Sequence, residues 1–101
     1  PGGYAPDRIR MRHAMVDLVR DALDTGKPVA TIDRGAQLLI TVNALRGRTA
    51  TCWPSIAIDV KNAGGMYVDR PVVEDGPVIT GRKWDDVPAF TAAIVRAVSG
   101  V

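Results

Sequence analysis

The sequence predicts an α/β fold: a parallel, layered sheet flanked by helices, with an antiparallel hairpin appended near the end. Three observations predict it. Short apolar runs at 28–32 and 49–53 have the unbroken apolar character of strands buried on both faces. Segments of helical periodicity alternate with them. Two further strand-like runs, 67–73 and 77–81, flank Glu74-Asp75-Gly76, a hairpin turn signal.

The elements follow in order. Residues 7–24 read as a helix, because Met11, Met15, Leu18, Val19 and Ala22 recur at helical spacing. Pro6 stands just before it and Gly26 just past its end, the usual punctuation of a helix. Met11 and Met15 are assigned to the core rather than to a soft-metal site. After the strand at 28–32, residues 35–45 read as a largely buried helix ended near Gly47. The strand at 49–53 stops at Pro54, and Ser55 is placed to cap a helix through Asn62, closed by Gly64-Gly65. Asp85 or Asp86 is placed to cap a last helix with Pro88 in its first turn and an apolar face of Phe90, Ile94, Val95 and Val98. Trp53 and Trp84 are assigned to core packing.

Composition excludes several function classes. At 101 residues the chain is one domain at most, and 47% hydrophobic content excludes intrinsic disorder. No apolar run approaches the roughly 18 residues of a membrane span, and no basic-then-apolar leader is present, so neither membrane insertion nor a signal peptide is expected. The net charge is +2, but 13 Lys and Arg are interleaved with 11 Asp and Glu. The densest basic stretch, Arg8, Arg10 and Arg12, has only Tyr4 near it, so nucleic-acid binding is not expected. Cys52 is the only cysteine and His13 the only histidine. An intrachain disulfide is therefore impossible, no metal or cofactor is implied, and a reducing, cytoplasmic location is the default.

The most informative stretch is Val29-Ala30-Thr31-Ile32-Asp33-Arg34-Gly35. A strand passes into a helix with only Asp33-Arg34 between, and the small residues Thr31 and Gly35 stand two before and two after Asp33. This is the spacing of a nucleophile elbow, whose strained central residue faces the helix N-terminus. Asp tolerates positive φ better than most residues. The plainer alternative is that Asp33 caps the helix. Only two parallel strands are visible, too few for a stable sheet, so further strands are expected from sequence outside this chain or from another chain.

The run ATIDRGAQLLITVNALRGRTATCWPSI resembles the ThiJ/PfpI superfamily, within the class I glutamine-amidotransferase-like fold. Pro1-Gly2-Gly3 with Ala5-Pro6-Asp7 is similar to that family's mid-chain PGG-x-AP segment. Asn62-Ala63-Gly64-Gly65, Tyr67-Val68-Asp69 before Pro71-Val72-Val73, and Asp85-Asp86-Val87-Pro88-Ala89-Phe90 fit its C-terminal part. The resemblance covers all 101 residues. It implies the C-terminal half of a flavodoxin-like α/β/α sandwich, completed by an N-terminal half on the same or a separate chain, and a homodimer or larger assembly.

One departure decides the chemistry expected. Members of the family usually carry Cys-His at the elbow, where this sequence has Asp33-Arg34. A carboxylate is a poor nucleophile towards amides and carbonyls, so thiol-dependent peptidase or deglycase activity is not expected. The leading expectation is a small-molecule enzyme of hydrolase, hydratase or lyase type, with Asp33 as base or anionic stabiliser and Arg34 binding an anionic group. Gly2 and Gly3 match the family's oxyanion loop, and Arg82 stands where the family often has an arginine near the pocket, so all three are candidates to bind substrate, with a partner-subunit contact or a plain surface arginine as the alternatives for Arg82. A base role for the Pro1 amine is one reading of the chain start, and a processing or fragment boundary is the other. The competing expectation is a non-catalytic domain that binds a ligand or a protein.

Overall fold

The computed structural model describes residues 2–99. Two helices come first, α1 (Ala5–Ile9) and α2 (His13–Asp24). Then follow β1 (Val29–Ile32), α3 (Ala36–Thr41), β2 (Thr49–Ala50), α4 (Ala57–Asn62), β3 (Met66–Tyr67), β4 (Val72–Asp75), β5 (Val78–Gly81) and α5 (Val87–Ser99). Single 3-10 turns at Asp33–Gly35, Pro54–Ile56 and Trp84–Asp86 lead into α3, α4 and α5. No helix among the described residues is long and apolar enough to cross a membrane.

The α/β class holds. β1, β5 and β4 form one sheet in that order, with β1 parallel to β5 and β4 antiparallel to it. β2 and β3 form a second, parallel pair. The hairpin is present, but Glu74 and Asp75 belong to β4, and the turn itself is Gly76-Pro77. Gly76 adopts φ 59°, the positive angle that the first position of so tight a turn demands. The hairpin's second strand is also the sheet's centre: all of β5 is buried, because it pairs on both edges.

Side chains fasten the two sheets together. The Thr51 N–H donates to the buried Thr80 Oγ1 at 2.9 Å, and the Thr80 hydroxyl donates to the Val73 carbonyl at 3.4 Å. The Thr49 N–H donates to the Asp75 carboxylate at 2.8 Å. Around these bonds lie the fully buried Leu39, Leu45, Ala50, Cys52 and Val60, with Val78 beside them.

Several elements depart from the sequence pattern, each for a tertiary reason. The helix expected over 7–24 breaks at 10–12, with Arg12 extended at φ −99°, ψ 112°. Arg10 is drawn towards α3, where Nε donates to Thr41 Oγ1 at 3.0 Å and Nη2 to the Gln37 carbonyl at 3.3 Å. The buried face of α2 is Val16, with Val19 and Leu23 packed on the core. Met11, Met15 and Leu18, expected inside, are exposed. The helix expected over 35–45 ends at Thr41, and Asn43 takes φ 58° so that Leu45 can enter the core from a loop. The strand expected over 49–53 is reduced to Thr49–Ala50, and that over 67–73 divides into β3 and β4. Ser55 sits inside a 3-10 turn and makes no cap, and no side-chain cap bond precedes the Trp84–Asp86 turn. On α5 the buried residue is Ala93, while Val95 and Val98 are exposed. Trp84 is exposed too, so its assignment to the core is corrected.

Close approach of α5 to the sheet rests on a missing side chain. A Cβ on Gly81 would lie 2.9 Å from the Phe90 ring and 3.0 Å from the Ile32 side chain. Gly81→Ala should therefore push α5 off β1 and β5 and cost about 1–3 kcal/mol, read as a lower urea midpoint at unchanged m.

Candidate functional site

The elbow forms as its spacing predicts. β1 ends at Ile32, and Asp33 opens the 3-10 turn with φ 62°, in the left-handed region that non-glycine residues rarely occupy. The turn fits because its flanks are small: Gly35 and Ala36 are buried, and Thr31 is buried two residues before. Asp33 itself is only 5% exposed.

Its carboxylate meets the start of the chain. The Gly3 N–H donates to Asp33 Oδ2 at 3.2 Å. Gly2 lies so near that any Cβ there would collide with the same carboxylate, and Gly3 takes φ 67°. Both glycines are thus required by geometry, one for space and one for its backbone angle. The structure brings Gly2, Gly3 and Asp33 together, while Pro1 lies outside the described residues. The backbone of the elbow is held from the other side by the Trp53 N–H, which donates to the Asp33 carbonyl at 3.0 Å.

Arg34 turns elsewhere. Its guanidinium lies 5.6 Å from the ring centroids of both Tyr4 and Trp53, a cation between two aromatic faces. No hydrogen bond or carboxylate partner of Arg34 occurs among the described residues. Sequence reasoning missed this stack, because neither ring is near Arg34 in the chain. Arg82 is not brought to the elbow carboxylate. Nε and Nη2 donate to the two Asp86 oxygens at 3.0 and 3.3 Å, and Nη1 donates to Asp69 at 3.0 Å. These bonds tie the loop before β4 to the turn before α5 and occupy the fork that a substrate anion would need.

The sequence model of the DJ-1/PfpI family matches residues 1–97. This chain belongs to the DJ-1/PfpI family. It is 48% identical over 96 residues to a protein of Archaeoglobus fulgidus, covering 95% of this chain and 57% of that one. It is 44% identical over 97 residues to Protein/nucleic acid deglycase 2 of Escherichia coli, covering 95% of this chain and 56% of the relative. The chain therefore spans a little over half the length of these curated relatives. Its fold superposes with a TM-score of 0.96, at 41% identity, on a two-domain protein of Anabaena variabilis containing DJ-1/ThiJ/PfpI-like and ferritin-like domains, covering 98% of this chain and 28% of that one.

For a DJ-1/PfpI domain without an elbow thiol, the state of Cys52 matters. Cys52 is fully buried, next to the elbow strand rather than on the elbow. Burial, then the negative charges of Asp59 and Asp33, push its thiol up from 9.0 to about 12. A thiolate is the nucleophile, so this sulfur is inert at neutral pH. The same shift fixes a pH dependence. The thiol of the unfolded chain ionises above pH 9.0 while the folded one stays protonated up to about 12. The folded state then binds the extra proton, and stability falls as pH rises through that window. The loss specific to Cys52 should approach about 1.4 kcal/mol per pH unit and be absent from Cys52→Ala, compared by urea unfolding across the window.

Proposed function

We propose that this DJ-1/PfpI domain binds a small molecule and performs no thiol chemistry, with Asp33 fixing the site rather than attacking a substrate. One observation carries this reading: the carboxylate, almost entirely buried, already accepts the Gly3 N–H. A carboxylate that already occupies this amide takes the donor that such a pocket would offer an oxyanion in acyl or carbonyl chemistry. Arg34, expected to bind an anionic group, has no hydrogen-bond or carboxylate partner among the described residues and lies against Tyr4 and Trp53.

An enzymatic reading has its own support. Asp33 is held at a strained backbone angle, a cost concentrated at functional sites, and relatives above 40% identity include named deglycases. In that reading Asp33 is a general base of a hydrolase, hydratase or lyase acting on a small polar substrate, and Oδ1 takes the proton. Geometry favours the binding reading, because a base must reach substrate and Asp33 is 5% exposed.

The domain is further proposed to work with a companion segment, from the same or a separate chain, and as a homodimer or larger assembly in the cytoplasm. Among the described residues β1 has one strand neighbour, β5. Beside it Ala30, Ile32, Trp84, Val87 and Phe90 line an apolar cavity of about 290 Å³. An edge strand with an apolar face is what an added strand covers.

Asp33→Asn separates the two functions. It keeps the tolerance of positive φ and an acceptor for Gly3 but removes the charge. The expected result is no release of free amine from a glycated peptide by either protein, and a loss of about 1 kcal/mol in unfolding free energy for the variant. Turnover by the natural protein that Asn abolishes would establish the enzymatic reading instead.

A further inference from the structure

We infer a second element of the ligand site, which rests on the ligand-binding reading: the cavity between α1 and α2 takes the anionic head and apolar body of a small organic carboxylate or phosphate. The cavity holds about 540 Å³ and is lined by Tyr4, Ala5, Arg8, Ile9, Arg12 and Met15. That volume lies within the range of small-molecule sites.

Charge selects the ligand. Arg20, Arg48, Arg82 and Arg96 each have a carboxylate partner, and Arg10 is spent on α3. Arg8 and Arg12, which line the cavity, have no carboxylate within ion-pair distance among the described residues. Two arginines and no acidic residue line this concavity among the described residues, which concentrates positive potential there. Each presents a planar fork that matches a carboxylate or phosphate.

The remaining walls select the rest of the molecule. Tyr4, just before α1, is 77% exposed, and Met15 on α2 is 38% exposed. Ile9 and Ala5 complete an apolar wall beside the two cations. Methionine adapts its shape to what covers it. A free inorganic anion satisfies the arginines and leaves this wall wet, whereas an aryl or alkyl anion covers both. Tyr4, which lines the cavity, also carries the Arg34 guanidinium 5.6 Å from its ring centroid.

The test uses the three methionines as reporters. The protein is labelled at its methionine methyl groups and titrated with phenyl phosphate, then with benzoate, inorganic phosphate and phenol. Met15 lines the cavity, and the exposed Met66 on β3 reports non-specific binding. We expect a saturable shift of the Met15 methyl with the two aryl anions and a still Met66. Affinity should be weaker by about tenfold for inorganic phosphate and for phenol, and by about tenfold in Arg8→Gln and in Arg12→Gln. Roughly 0.5 M NaCl should weaken it further. Arg8 and Arg12 are exposed, so both variants keep the fold, which a thermal melt checks. The inference is overturned by Met66 moving together with Met15, by no saturable shift, or by arginine variants that bind as tightly. It is also overturned by a Met15 shift that follows protein concentration without ligand, which would assign the face to a second copy of the chain. Turnover that depends on Asp33 leaves this result unchanged, so the two readings fail separately.

Discussion

A single hydrogen bond, from the Gly3 N–H to the Asp33 carboxylate, joins the start of the described chain to the tip of the elbow, and much of the site depends on it. Positive φ at an aspartate costs on the order of 1–2 kcal/mol. A hydrogen bond to a charged group contributes about 1.5–3 kcal/mol, enough to offset that strain. The bond is possible only because Gly2 has no side chain to collide with the carboxylate. With the glycine loop held there, Tyr4 stands where Arg34 can lie on its ring, and α1 starts at a fixed point over α3. The cavity between α1 and α2 inherits its position from the same anchor.

That anchor also changes what the scaffold can do. Backbone N–H groups opposite an elbow stabilise negative charge that develops during a reaction. Here the acceptor is the protein's own carboxylate, so the donor is satisfied before any substrate arrives. The one sulfur in the neighbourhood cannot substitute. Cys52 is enclosed by Leu39, Leu45 and Ile56 in the same core cluster, and its thiol is held protonated by that burial together with Asp59 and Asp33. A buried carboxylate beside a buried thiol raises the cost of forming thiolate, the reverse of the cationic surroundings that activate cysteine.

How much of this was legible in the sequence depended on the range of the physics involved. The elbow was legible, because Thr31 and Gly35 at fixed offsets from Asp33 satisfy a steric demand that acts within one turn. The hairpin was legible for the same reason, through Gly76. The glycine loop and the family were legible from motifs rather than from periodicity. Long-range contacts were not. Arg10 breaks a regular helical pattern by bonding to Thr41 and Gln37, which no local propensity encodes. The parallel pairing of β5 with β1 gives the hairpin a central place that its own sequence does not announce. Arg82, placed near the pocket by resemblance, is committed to Asp69 and Asp86 on either side of it in the chain. The exposed Met11, Met15 and Leu18 fit a helical period whose buried face is set instead by Val16, Val19 and Leu23.

The division between anchored and uncovered surface suggests how site and assembly are related. Among the described residues, Gly3 and Trp53 hold the elbow, and Tyr4 and Trp53 hold the guanidinium. The apolar surface left open lies elsewhere, along β1 and α5 at Trp84, Val87 and Phe90. A segment that covered this surface would add buried apolar area, at roughly 25 cal/mol per Å², without touching the hydrogen bond that sets the elbow. On that proposal, completion of the sheet is separable from the hydrogen bond at the elbow. The companion proposed here would contribute stability, while among the described residues Gly3, Tyr4 and Trp53 already contact the carboxylate and the guanidinium.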